Sequence, residues 1–195
     1  MLGDLDLGRE FFLQLVRVDE AVVREVVAKR CPRCGGPLHR SDYDRKPRGA
    51  LIAPEGEAFV RRFSLCCGRE GCRKRATPPS VRFLGRRVYL GAVVIVASMV
   101  ALALRAAGEI RRQTGVPART AARWVGWWQG PFLGTEVFVT ICARLIGVDV
   151  GQVPASIVDR LEGTGVQRVR TMLELLAPLT TGTVPDGARL LRGTA

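Results

Sequence analysis

Five cysteines in two short runs, four of them spaced as metal ligands, constrain this chain more than any other feature. The first run is Cys31-Pro-Arg-Cys34-Gly-Gly and the second is Leu65-Cys66-Cys67-Gly-Arg-Glu-Gly-Cys72. A two-residue gap lets both thiolates of the first pair reach one metal ion. The glycines after Cys34 free the backbone to turn tightly beneath the sulfurs. The wider gap from Cys67 to Cys72 still permits such a turn, with Gly68 and Gly71 to supply it. Two pairs so spaced suit a ribbon in which each of two hairpins delivers two sulfurs. The expected ligands are Cys31, Cys34, Cys67 and Cys72. Cys66 is the alternative third ligand; Cys67 is preferred because Gly68 follows it as Gly35 follows Cys34. Tetrahedral sulfur ligation selects Zn2+ and leaves no open coordination position, so the expected site is structural, not catalytic.

The remaining thiol, Cys142, sits in an apolar stretch and is expected as a small core residue. His39 is the only histidine. With four cysteines completing the shell, it is expected to be strand-exposed or to face phosphate. The first ten residues are acidic, unlike a secretory signal. A reducing, cytoplasmic setting is therefore expected, in which paired cysteines are metal ligands before they are disulfides.

Charge is concentrated around the cysteines. The whole chain carries +12, and the stretch from Lys29 to Arg87 holds 16 Lys/Arg against 5 Asp/Glu. Arg33, Arg40, Arg61, Arg62, Arg69, Arg73, Lys74 and Arg75 crowd the two runs. A Zn(Cys)4 centre is formally doubly negative, so some of these balance it. The excess points to a polyanion, with Arg40, Arg73, Lys74 and Arg75 as phosphate contacts.

Elsewhere the pattern is helical. Phe12, Leu15, Val16, Val22, Val23, Val26 and Val27 recur at helical spacing within residues 8–29, with the acids, Arg17, Arg24 and Lys29 on the other positions. Residues 30–84 are punctuated by Pro47-Arg48-Gly49 and Pro54-Glu55-Gly56, and Pro78-Pro79 bars a helix at the end. Val88 to Leu104 carries no charge, and Arg86, Arg87 and Arg105 flank it. It is either a buried helix or a short membrane span; its Ala, Gly and Ser content favours the buried helix.

Residues 107–129 then predict two short helices broken at Thr114-Gly115-Val116-Pro117, the shape of a helix-turn-helix. Gly115 would take the turn, and Pro117 would occupy the first turn of the second helix. Ile110, Val116, Ala121 and Trp124 are expected inside, and Ala118, Arg119, Ala122 and Arg123 outside. Small residues beside arginines permit close approach to a DNA major groove. Trp124, Trp127 and Trp128 are expected to pack. Helical stretches are predicted at 133–147 and 155–179, with a frayed tail from Thr180.

The order of these features resembles the DNA-binding region of insertion-sequence transposases and their accessory proteins, which join a zinc ribbon to a helix-turn-helix. The likeness covers residues 30–130: the CPRCGG run, Cys72-Arg-Lys-Arg, Pro-Pro-Ser-Val-Arg-Phe, the apolar helix, and Gly-Val-Pro-Ala-Arg-Thr-Ala-Ala-Arg-Trp. It implies binding to the ends of a mobile element. The four cysteines match the family's zinc ligands, and Arg119 and Arg123 match its recognition-helix side. A full transposase would continue into a nuclease domain with three metal-binding carboxylates. Glu136, Asp149, Asp159, Glu162, Glu174 and Asp186 lie on helical or loop segments instead, so no strand-transfer activity is expected.

The expected fold is α+β: an amphipathic helix over 1–29, a small β zinc ribbon over 30–84, a helix-turn-helix-like domain over 85–131 and a helical region over 132–195. The expected partners are DNA, a separate transposase catalytic subunit and a second copy of the chain, with no membrane. A protein-interaction module is the alternative, and a membrane-anchored zinc protein the more remote one.

Overall fold

A computed structural model describes residues 7–45, 57–84, 89–104 and 106–183. The Pro47-Arg48-Gly49 and Pro54-Glu55-Gly56 turns, Arg86, Arg87, Val88, Arg105, Asp186 and the tail beyond residue 183 lie outside it. The fold is mixed α and β, as expected. No helix among the described residues is long and apolar enough to cross a membrane.

Helix α1 (Arg9–Lys29) serves two cores. Its first half contributes Phe11, Phe12, Leu15 and Val18 to a large core. Its last turns contribute Val22, Val23 and Val26 to a small one built around the cysteines. Val27, expected inside, is exposed. After α1 the chain forms strands β1 (Leu38–Arg40) and β2 (Tyr43–Asp44), the single turn α2 (Glu57–Val60), and strands β3 (Arg61–Arg62), β4 (Leu65–Cys67) and β5 (Arg75–Ala76). Strands β1, β4 and β5 make an antiparallel sheet in the order β1-β4-β5, and β2 pairs with β3. Residues 77–82 form no helix or strand, in keeping with Pro78-Pro79.

A short hairpin, β6 (Phe83–Leu84) with β7 (Tyr89–Leu90), leads into α3 (Gly91–Ala103). Every residue from Gly91 to Val100 is buried. A helix apolar on all sides must be covered on all sides. Here α4 (Ala107–Thr114), α5 (Ala118–Trp128) and α8 (Gly165–Leu176) cover it. Gly91 permits the closest approach: a Cβ there would lie 2.6 Å from Leu173 Cδ2. Ser98, the one polar side chain of α3, donates to Val94 O at 2.7 Å and accepts from Trp128 Nε1 at 3.1 Å. A buried hydroxyl so paired carries little desolvation penalty.

The C-terminal part is more broken than predicted. The 133–147 stretch begins in a 3-10 turn (Pro131–Gly134) and holds one α-helix, α6 (Glu136–Cys142), capped by Thr135, whose hydroxyl accepts from Phe138 N–H. The 155–179 stretch divides into α7 (Ala155–Val158) and α8. Gly163 takes φ +94°, and Thr164 and Gln167 form a capping box that starts α8. Cys142 is exposed, not core: α6 turns Phe138 and Ile141 inward, and the next position faces out. The start of the tail is tied down, not frayed. Thr180 and Thr183 hydroxyls accept from Ser80 and Thr77 N–H at 2.8 and 2.7 Å, and Thr181 donates to Thr77 O at 2.5 Å.

A buried charged cluster stands between the two cores. Asp19 of α1 and Arg82 are each 1% exposed. The Asp19 carboxylate accepts from Arg82 Nε (2.7 Å), Ser80 Oγ (2.6 Å) and Val81 N–H (2.8 Å). The Arg82 guanidinium lies between the rings of Phe63 and Phe83, 4.4 and 5.1 Å from their centroids. Arg62, also buried, donates to Pro78 O at 2.5 Å and Phe63 O at 3.3 Å. Burial lowers the Arg62 pKa from its ordinary value, and the charge of Asp19 acts against that shift.

Candidate metal centre and basic surface

The Sγ atoms of Cys31, Cys34, Cys67 and Cys72 all lie within 4.8 Å of one another. Cys31 to Cys72 is 3.9 Å and Cys34 to Cys67 is 3.5 Å. Four thiolates at about 2.3 Å from one tetrahedral ion would stand roughly 3.8 Å apart. The tetrad therefore has the size of a single metal site, and no disulfide joins its members.

Local backbone geometry brings the sulfurs together. In the first turn, Gly35 N–H donates to Cys31 O (2.8 Å) and Cys31 N–H to Gly36 O (3.0 Å). In the second, Cys72 N–H donates to Arg69 O (3.1 Å) and Cys67 N–H to Lys74 O (3.0 Å). Gly35 and Gly71 take φ +67° and +80°, which a side chain disfavours. Gly36 is needed for space: a Cβ there would sit 3.0 Å from Cys67 Sγ and 3.3 Å from Cys34 Sγ. Gly68 does not take the turn; the His39 ring lies over it and fills the place a side chain would occupy. Gly36→Ala should weaken metal binding by about tenfold or more while Gly108→Ala, at an open position, leaves it unchanged. A metal-competition titration of both variants checks this, and equal affinities would remove the packing argument.

Strand alternation separates Cys67 from Cys66. Leu65 and Cys67 face the small core, while Cys66 between them turns to the outer face, opposite His39 on one side and Arg75 on the other. Its Sγ lies 3.5 Å from Arg73 O. His39 is exposed on β1 and outside the tetrad.

The surroundings act differently on two of the thiols. The Arg33 backbone N–H is the largest influence on Cys31, which is lowered to about 7. At Cys67 the Arg69 backbone N–H lowers the pKa, but burial and the neighbouring cysteines outweigh it, and the group is raised to about 12. A metal must expel the Cys67 proton to bind there. Capture should therefore weaken as pH falls.

The arginines divide into several groups. Arg62 is buried, so it is not the surface cation its place in the run suggested. Arg40 is bound to Asp42 (2.8 and 3.0 Å) and lies over the Phe63 ring. Arg75 donates to Ser41 O and Ser64 Oγ at 3.1 and 2.9 Å. Arg69 donates to Cys34 O at 2.9 Å, so it braces the first cysteine turn. Arg33, Arg73 and Lys74 are exposed.

On the helical body, Gly115 takes φ +67° and closes α4. Pro117 is the residue immediately before α5, one place earlier than expected. Ile110, Val116, Ala121, Trp124 and Trp128 are buried, while Arg119, Ala122 and Arg123 are exposed. Ala118, expected outside, is half-buried against the large core. Arg123 Nη2 donates to Thr120 Oγ1 at 3.3 Å. The tryptophans pack with Tyr89, Phe132 and one another.

Sequence reasoning missed the Asp19–Arg82 cluster. Its trace was present: Asp19 falls four residues after Leu15 and three before Val22, within the apolar stripe. No family model, curated protein or solved structure matches this chain.

Proposed function

We propose that this chain is a DNA-binding protein whose cysteine end is held by a structural zinc ion, and that it acts as an accessory or regulatory protein of a mobile element. The observation that carries this reading is the division of α5. Ala121, Trp124 and Trp128 anchor it in the large core, while Arg119, Ala122 and Arg123 stand together in solvent near its start. A helix-turn-helix offers a major groove the same arrangement: early residues of the second helix, small side chains and arginines able to reach a guanine edge or a phosphate. The cysteine end would form a zinc ribbon, with Arg33, Arg73 and Lys74 free to contact phosphate and Arg40 and Arg75 chiefly structural. Asp149 accepts from Gly151 N–H at 2.9 Å and Glu174 pairs with Arg170 at 2.9 Å, so these carboxylates serve local structure. The reading gives the chain no strand-transfer chemistry and leaves that to a separate catalytic subunit.

A duplex selected from random sequence by the protein provides the test. Arg119→Ala/Arg123→Ala should lower affinity for that duplex by roughly 100-fold and leave weak, salt-sensitive binding to unrelated DNA. Unchanged preference would refute the role of α5. A second reading, a protein-docking module, draws on Val139, Ile146 and Val150, which are 64, 95 and 51% exposed. It predicts little DNA affinity and a flat response to salt.

A further inference from the structure

The two cores differ in what holds them. The large core contains all of α3 from Gly91 to Val100 and the three tryptophans of the chain. The small core consists of Val22, Val23, Val26, Leu38, Phe63, Leu65 and Ala76, closed by Cys31 and Cys67, with Cys34 and Cys72 packed against it. Its four cysteines are thus a large share of what it buries. A segment of about 40 residues with so few apolar side chains does not hold itself together without a metal or a disulfide.

The boundary between the cores is well marked. Asp19 pins the middle of α1 to residues 80–82, and Arg62 is bound to Pro78 O. The hydroxyls of Thr180, Thr181 and Thr183 pin residues 77–80 to the end of the helical body. Phe59 belongs to the large core, where it meets Phe12. Among the described residues, the crossings at Asp19, at Phe59–Arg62 and at residues 77–82 are therefore fastened on the side of the helical body.

We infer that metal occupancy governs the fold of residues 20–45 and 61–76 alone, as a switchable unit on a helical body that stays folded without metal. The inference rests on the metal reading of the tetrad. Loss of the ion would leave four thiols with nothing to bridge them, in a core too small to persist. The last turns of α1 would fray with it, because Val22, Val23 and Val26 belong to the small core. Helices α3, α4 and α5 would keep their packing.

The full chain can be tested loaded with Co2+, whose thiolate charge-transfer absorption reports the tetrad. Near-ultraviolet circular dichroism of the tryptophans reports the large core only, because all three pack there. Chelation should abolish the cobalt band and leave the tryptophan signal within about a tenth of its starting value. Amide exchange protection should fall by roughly two orders of magnitude in residues 20–45 and 61–76 and persist in 91–128. Loss of the tryptophan signal in step with the cobalt band would overturn the inference, since the chain would then be one cooperative unit. Retained protection at 20–45 after the metal has gone would also overturn it. If Co2+ gives no thiolate band, the metal reading itself fails and the inference fails with it; the two failures are told apart by that band.

Discussion

Asp19→Ala should cost about 3–5 kcal/mol of stability, the loss expected when one member of a buried ion pair is removed. In a chain of this size that is a fall of roughly 10 °C in melting temperature. The carboxylate holds Arg82, Ser80 and the Val81 N–H at once, and all of them are buried. Without it, the Arg82 guanidinium between the rings of Phe63 and Phe83 loses its buried ion pair with Asp19. Ser80 Oγ would retain its contacts with the Arg82 and Phe83 N–H groups, which accounts for part of the residual order. Asp19→Asn keeps the shape and discards the charge, so it should be nearly as damaging if the charge is what matters. Asp19→Ala combined with Arg82→Met removes both members of the ion pair and should recover part of the loss. Denaturant unfolding of the three variants checks these orderings. A loss below about 1 kcal/mol in Asp19→Ala would mean that the cluster is held by packing rather than by its charge.

That cluster also shows why some of the fold was legible in the sequence and some was not. Apolar periodicity placed α1 to within a residue and identified Val88–Leu104 as a buried helix, now α3 over Gly91–Ala103. Both rest on hydrophobic burial, which depends on local spacing alone. The outward Arg119, Ala122 and Arg123 were legible for the same reason, and the break at Gly115 from the conformational demands of glycine and proline. Asp19 was not, because a carboxylate in an apolar stripe goes inside only if a partner arrives from elsewhere. Its partner lies more than sixty residues away, as the separation of Asp19 and Arg82 shows. The threonine ties from 180–183 to 77–80 span an even longer stretch of chain. Cys142 was misplaced because an apolar segment does not reveal which of its faces is covered; the helix over it proved to be a short surface turn pair. At the cysteines, composition and spacing identified the tetrad and favoured Cys67 over Cys66, but the reason lies in the strand alternation of β4 and not in a turn at Gly68.

The alternation leads to the second large effect. Cys67→Ser should lower metal affinity by at least about 100-fold, whereas Cys66→Ser should leave it within about twofold. The two thiols are adjacent in sequence and chemically alike, so their difference is one of direction. Cys67 Sγ lies 3.5 Å from Cys34 Sγ and has no exposure to solvent. Cys66 Sγ lies beside Arg73 O on the outer face. For Cys66 to serve in its neighbour's place, β4 would have to shift by one residue. That shift would turn Leu65 and Cys67 outward and break the pairing of Leu38 with Cys67 and of Leu65 with Ala76. A serine at 67 leaves three thiolates and a weaker oxygen ligand, and the small core loses its best-buried sulfur. Metal content after purification and competition against a coloured chelator measure both variants. Equal loss in the two would mean that the site depends on Cys66 as much as on Cys67 and that strand direction does not separate them. Equal retention would mean that β4 slips so that Cys66 takes its neighbour's place, or that three sulfurs suffice, and Cys67 would then not be a required ligand.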